Sequence, residues 1–450
     1  MKAALFLAAA SAALINAAAT PVEKRASVPT VTVQGNAFYA GGQRFFIRGI
    51  DYQPGGASDA KDPIADSAGC QRDIEYFKKL GINTVRVYTV DNTANHDTCM
   101  NALADAGIYL ALDVNTPLYS LRRDKPGQSY NPTYLQNVFA TIDVFSKYDN
   151  TLLFFSGNEV INDDTTTTCA PYVKAVTRDM RQYIKTRGYR SIPVGYSAAD
   201  VESNRFEMAQ YMNCGTDDQR SDFYAFNDYS WCDPSSFQVS GWDKKVQQYS
   251  NYSLPIFLSE WGCNKNKRTF GAAKSLYSSD MSAVYSGGLV YEYSEEANEY
   301  GLVSLSGSTV TPNDDFTALQ SAYAANPAPS GSAGARTGGG ASTCPDASST
   351  WNISPWTGQY LPAMPSGAAT YMQNGAGKGP GLVGKGSQEA PGGSTASAVP
   401  GSASVTAGSS GAATTSKGAA IALAAGDLGM GPFVCMAVVL LSTLFGATLI

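Results

Sequence analysis

LLFFSGNEV, residues 152–160, runs through apolar residues into Ser, Gly and Asn and then stops at a carboxylate with no charged neighbour beside it. An unbroken apolar run of this length reads as a strand buried on both faces, the pattern of a parallel sheet. PIFLSEWG, residues 255–262, repeats the design and ends its run at Glu260. Working outward, the same kind of run recurs in RFFIRGI (44–50), INTVRVY (82–88), IYLALDV (108–114), SIPVGYS (191–197), DFYAFNDY (222–229) and GLVYEYS (288–294), which makes eight in all. Segments of helical spacing lie between most of them, among them DIEYFKKLG (73–81) and APYVKAVTRDMRQYIKTRG (170–188), each closing on a glycine. Eight alternating strand–helix units over about 300 residues predict a closed (β/α)8 barrel, an α/β fold of TIM-barrel type. Ahead of it, VTVQGNAFYAGGQRFFI predicts a hairpin turning at Gly35-Asn36 or at Gly41-Gly42 and capping the barrel floor.

Active sites of such barrels lie at the C-terminal ends of the strands. Glu159 follows the fourth strand and Glu260 ends the seventh, so the two face each other across the mouth. Asp51, Tyr52, Gln53, Arg86, Tyr88, Asp113, Asn115, Tyr229, Tyr291, Glu292 and Tyr293 occupy other strand ends. The mouth has no histidine, and no Gly-x-Ser-x-Gly elbow occurs at a strand end, which argues against a serine hydrolase. No Gly-x-Gly-x-x-Gly follows the first strand and no Walker loop is present, which argues against nucleotides. Two carboxylates among aromatics fit glycosidic bond cleavage, one as proton donor and the other as nucleophile. Asn158 is placed to donate to a sugar 2-hydroxyl or to the other carboxylate. Arg86 is either a core salt-bridge former or the group that holds the nucleophile ionised. Asp113 reads as a hydrogen-bonding partner in the mouth and is counted with the substrate-binding residues. His96, in the polar loop DNTANHDTCM, reads as solvent-exposed.

The two ends carry other signals. Residues 1–20 have the Lys, Ala/Leu run and small residues of a secretory signal peptide, and Lys24-Arg25 resembles a dibasic processing site. Composition shifts to Gly, Ser, Ala, Thr and Pro from about Pro327 to Ala420, and residues 346–420 are read as a flexible stalk beyond a catalytic domain of residues 26–345. Residues 421–450 end in an apolar tail with no basic residue after it, the pattern of a GPI-anchor signal removed from the mature protein. These features predict a secreted protein held at the cell surface by a GPI lipid in the plasma membrane. Cys435 lies in the tail, so seven cysteines remain for an oxidising compartment and one must be left over. Asn251 and Asn352 head glycosylation sequons. No CxxC pair and a single histidine predict no zinc site, and the reading calls for no cofactor. A net charge of −6 without a basic cluster predicts no nucleic-acid partner.

GIDYQPGG, INTVRVYTVD, GIYLALDVNTP, FFSGNEVIND, PYVKAVTRDM, IPVGYSAAD and FLSEWGC resemble the fungal cell-wall β-1,3-glucanosyltransferases of glycoside hydrolase family 72 over nearly all of residues 27–345. The resemblance implies a retaining enzyme with Glu159 as acid/base and Glu260 as nucleophile. Gln53, Tyr88, Asn158, Tyr229 and Tyr291 match positions that line the family's glucan subsites. It also implies disulfides Cys70–Cys99, Cys214–Cys344 and Cys232–Cys263, with Cys169 matching no paired position. The cysteine-rich carbohydrate-binding module of the longer members is absent, since only Cys344 lies between the barrel and the tail. The expected partners are β-1,3-glucan donor and acceptor chains, and the expected state is a monomer. Two alternatives stand beside the transferase: a retaining β-1,3-glucan hydrolase on the same barrel, and a non-catalytic glucan-binding wall protein.

Overall fold

All eight apolar runs become strands, in a computed structural model that describes residues 28–403 apart from 359 and 395. They are β1 (Ile47–Asp51), β2 (Thr84–Val87), β3 (Tyr109–Asp113), β4 (Thr151–Asn158), β5 (Val194–Ala199), β6 (Phe223–Asp228), β7 (Ile256–Trp261) and β8 (Tyr285–Val290). Every neighbouring pair is parallel, and β8 returns to β1 with Gly287 opposite Ile47 and Val290 opposite Ile50, closing the barrel. Apolar side chains fill its interior, including Ile47, Ala111, Leu153, Phe155, Phe223, Phe257 and Leu289. Residues 1–20, read as a signal peptide, and residues 421–450, read as a GPI signal, fall outside the described residues.

The predicted hairpin is a three-stranded antiparallel sheet, Val31–Gln34, Ala37–Ala40 and Gln43–Phe45, because both candidate turns form. It inserts Phe38 into the barrel, with ring centroids 6.2 Å from Phe223 and 5.9 Å from Phe257. Outside, the helix Ser67–Leu80 ends at Gly81 in the left-handed conformation (φ 69°), and Ala170–Thr186 is the longest helix among the described residues. Disulfides join Cys70 to Cys99, Cys214 to Cys344 and Cys232 to Cys263. Cys169 is unpaired and buried, its Sγ donating to Arg123 O at 3.2 Å.

Two expectations need correction. His96 is buried, not exposed: its Nε2 lies 2.7 Å from Asp62 Oδ2 and its ring 4.6 Å from that of Phe145. Its loop is polar because it folds onto Asp62, which also accepts from Asp91 N at 2.7 Å. Residues 346–403, read as stalk, pack against the barrel. Trp351, Ile353, Trp356, Leu361 and Met372 are buried among the Gly and Ser, with Trp351 5.5 Å from the Tyr211 ring and Trp356 6.0 Å from that of Tyr172. A few large apolar anchors suffice to dock a segment whose mean composition is that of a linker. Residues 404–420 lie outside the described residues, and among those described no helix is long and apolar enough to cross a membrane.

Candidate active site

Glu260 is the most heavily coordinated carboxylate of the mouth. Its Oε1 accepts from Tyr88 OH at 2.8 Å and Arg86 Nη1 at 3.2 Å, and its Oε2 accepts from Tyr229 OH at 2.7 Å. Arg86 is fully buried and reaches Asp113 through Nε and Nη2, at 2.9 and 3.3 Å. Its guanidinium also lies 4.2 Å from the Tyr88 ring centroid and 4.6 Å from that of Phe155, so packing as well as charge fixes its position. Burial pushes the Glu260 carboxyl up to about 7, against the opposing pull of Arg86, while the nearby Glu159 charge raises it further and the two tyrosine hydroxyls lower it. All three donors favour the ionised form.

Glu159 follows β4 with a backbone φ of 48°, a left-handed conformation that few residues with a Cβ adopt. Strand pairing is irregular just before each carboxylate, between Phe155 and Asn158 on β4 and between Leu258 and Glu260 on β7. Such irregularities turn a side chain out of the regular pleat. Glu159 is held there by its own N–H, which donates to Ser197 O at 2.9 Å, and by Arg123 Nη2, which donates to its carbonyl at 2.6 Å. Its Oε1 accepts from Asn227 Nδ2 at 2.8 Å. Asn227 on β6 is the strand neighbour of Glu260, so its side chain holds one carboxylate while its backbone lies beside the residue that carries the other. Asn227 is in turn oriented by Ser197 and Ser259, whose hydroxyls donate to its Oδ1 at 3.2 and 2.9 Å. Asn158 is fixed through its Oδ1, which accepts from Ser197 Oγ at 2.7 Å and Asn227 Nδ2 at 3.2 Å.

The remaining sequence candidates divide into walls and supports. Tyr229 and Tyr291 are half-buried with ring centroids 6.4 Å apart, and Tyr300 completes a trio at 5.6 and 5.3 Å from them. Gln53 and Asp113 are buried behind the wall. Gln53 Oε1 accepts from the backbone N–H of Tyr88 and of Thr89, both at 3.2 Å, and its Nε2 donates to Lys61 O, so it holds Tyr88 in place. Asp113 serves Arg86. Beneath the site, Asp51 is fully buried with neither carboxyl oxygen hydrogen-bonded, and burial holds it well above the usual carboxylate range. The reading of the sequence passed over Asn227, Ser197, Ser259 and Tyr300. Asn227 carried the same signal as Asn158, a polar residue ending an apolar run, whereas Tyr300 sits in the connection after β8 and carried none. Among the described residues no cluster of His, Cys, Asp and Glu is arranged to hold a metal ion.

Comparison with known proteins identifies the family to which the chain is similar. The profile of the glucanosyltransferase family matches residues 20–326. The chain is 60% identical to 1,3-beta-glucanosyltransferase gel1 of Aspergillus fumigatus over 435 residues, 96% of each protein. It is 53% identical to 1,3-beta-glucanosyltransferase GAS5 of Saccharomyces cerevisiae, over 82% of this chain and 76% of that protein. Among solved structures, a mutant of Saccharomyces cerevisiae Gas2p in complex with laminaritetraose and laminaripentaose superposes with a TM-score of 0.67 at 37% identity, covering 72% of this chain and 73% of that one.

Proposed function

The chain belongs to the glucanosyltransferase family, glycoside hydrolase family 72, and from that premise we propose that it is a retaining 1,3-β-glucanosyltransferase that elongates cell-wall glucan. It cleaves a β-1,3-glucan chain internally and passes the new reducing end to the non-reducing end of another. The observation that carries the assignment of roles is the set of donors on Glu260: Arg86, Tyr88 and Tyr229 all stabilise its charged form. Glu260 is therefore the nucleophile and Glu159, held by Asn227, the acid/base.

In the first half-reaction a Glu260 oxygen attacks the anomeric carbon and the glycosidic C–O bond breaks. The Glu159 proton goes to the departing sugar oxygen. In the second, Glu159 takes the proton of an acceptor 3-hydroxyl, that oxygen attacks the anomeric carbon, and Glu260 leaves as a carboxylate. Asn158 donates to the donor sugar, and Tyr229, Tyr291 and Tyr300 offer ring faces to the chain. Gln53 and Asp113 act through Tyr88 and Arg86. Transfer prevails over hydrolysis when bound sugar outcompetes water, and a discrimination of about 2–3 kcal/mol suffices for roughly 30- to 150-fold preference.

The protein works as a monomer at the cell surface, glycosylated at Asn251 and Asn352, which are both exposed, and anchored through a GPI lipid added after removal of the tail. Incubation with a reduced linear β-1,3-gluco-oligosaccharide tests the reaction: products longer than the starting material are expected. Shorter products alone would make it a hydrolase, and no products a binding protein. Release of the protein from cells by a phosphatidylinositol-specific phospholipase tests the anchor.

A further inference from the structure

Asn158, beside Glu159, also lines a cavity of about 390 Å³, within the range of small-molecule sites. The connection after β3, residues 115–125, forms one wall, Val160 another, and Gln388, from far beyond the barrel, closes the outer side. Its hydrogen-bonding capacity is partly unused. Asn158 spends its Oδ1 on Ser197 and Asn227, and among the described residues its Nδ2 has no protein acceptor. Gln388 donates through Nε2 to Ser120 Oγ at 2.8 Å, and among the described residues its Oε1 has no protein donor. The charges cancel locally: Arg122 is shared between Asp124 at 2.6 Å and Glu389 at 2.8 Å, and Arg123 in the lining, which donates to the Val160 and Glu159 carbonyls, balances the second carboxylate. A pocket offering a free donor, a free acceptor, apolar Leu121 and Val160 and no net charge suits a neutral polyol ring better than an anion.

The outer wall is clamped along its length. Tyr119 OH donates to Val383 O at 2.8 Å, Ser387 N donates to Leu118 O at 2.9 Å, and Asn131 Nδ2 donates to Ser387 O at 2.7 Å. Gly386 sits at φ 74° so close to the loop that a Cβ would lie 2.5 Å from Leu118 O, so the approach requires glycine. Residues 383–389 lie outside the stretch matched by the family profile, residues 20–326. We infer that the cavity is a further glucosyl subsite continuous with the active site, and that residues 383–389 form its wall and set which chain lengths bind well. The inference rests on the glucanosyltransferase reading.

Calorimetric titration of the full chain carrying Glu159→Gln with linear β-1,3-gluco-oligosaccharides of increasing length, with and without Gln388→Ala, tests it. Expected is an affinity loss of about 2- to 12-fold, one neutral hydrogen bond, confined to oligosaccharides long enough to reach the cavity. Unchanged affinity for the shorter ones shows that the variant is folded. Equal affinities at every length, or an equal loss at every length, would overturn the subsite and leave the enzyme assignment intact. Failure of the parent chain to bind any of the series would overturn both.

Discussion

Arg86 Nη1 stands 3.2 Å from Glu260 Oε1, with the guanidinium fully buried in the barrel mouth. Because the same group is bidentate toward Asp113, its position is set by β3 while its charge acts on β7. Asp51, Asp113 and Glu260 all feel that one cation. Burial raises the carboxyls of Asp51, Asp113 and Glu260 together, and on Glu260 three donors oppose that rise.

Arg86→Lys should lower kcat roughly 10²- to 10³-fold, since an ammonium cannot reproduce the fork that reaches both carboxylates. Arg86 pulls the Glu260 pKa down, so weakening it lets that pKa rise further. A nucleophile must be ionised, and the acid limb of the kcat/KM profile should accordingly move to higher pH. A limb that stays in place would show that Arg86 only packs.

Glu159→Gln and Glu260→Gln should differ in kind. On natural glucan the first should lose about 10²- to 10⁴-fold in rate, the range of general acid catalysis. On a β-1,3-gluco-oligosaccharide with a dinitrophenyl leaving group, which departs without a proton, Glu159→Gln should still release the phenolate in a burst. Glu260→Gln should be inactive on both, and the opposite pattern would exchange the two roles.

Asn227→Ala removes the donor that holds Glu159 Oε1 and links it to the nucleophile's strand. Misplacement of the acid by a fraction of an ångström should lower kcat roughly 10- to 100-fold with little change in KM. A parallel rise in KM would assign Asn227 to sugar binding instead.

The barrel was legible because eight apolar runs at regular spacing have few other solutions, and the two glutamates because each terminates such a run. Asn227 ends an apolar run as Asn158 does, but that signal does not say which carboxylate the side chain reaches across the mouth. His96 and residues 346–403 were misread for a common reason: local composition reports average polarity, whereas burial is decided by distant partners. Asp62 internalises His96, and the barrel flank takes up Trp351 and Trp356. Gln53 and Asp113, counted with the substrate-binding residues, hydrogen-bond to the Tyr88 and Thr89 backbone and to Arg86, contacts that strand position alone does not reveal.

Glu292 links the site to pH-dependent stability. Its carboxyl is almost wholly buried, with Oε2 unpaired, and burial raises it from 4.5 to about 7 despite the Asn298 hydrogen bond. A carboxyl with a folded pKa above its unfolded one binds more protons when folded, so its contribution falls as pH rises between these values. Glu292→Gln should therefore gain about 1–3 kcal/mol over the parent at about pH 8, with the gap closing near pH 4. Denaturant unfolding of both proteins across that range checks the sign, and a gap that widens in acid would refute it.

Trp351→Ala decides whether the post-barrel segment is structural. A stalk residue would tolerate the change without effect. Trp351 instead has no exposed surface, stacks edge-on near Tyr211 and lies close behind Cys344, whose disulfide fastens the segment to Cys214. Its indole N–H lacks a partner, which offsets part of the gain from burial. The net expectation is a destabilisation of about 2–4 kcal/mol, read as a lower unfolding midpoint of the disulfide-intact protein. Because residues 383–389 clamp the loop after β3, the same variant should weaken binding of long glucans more than short ones, whereas a purely local defect would leave the length dependence unchanged.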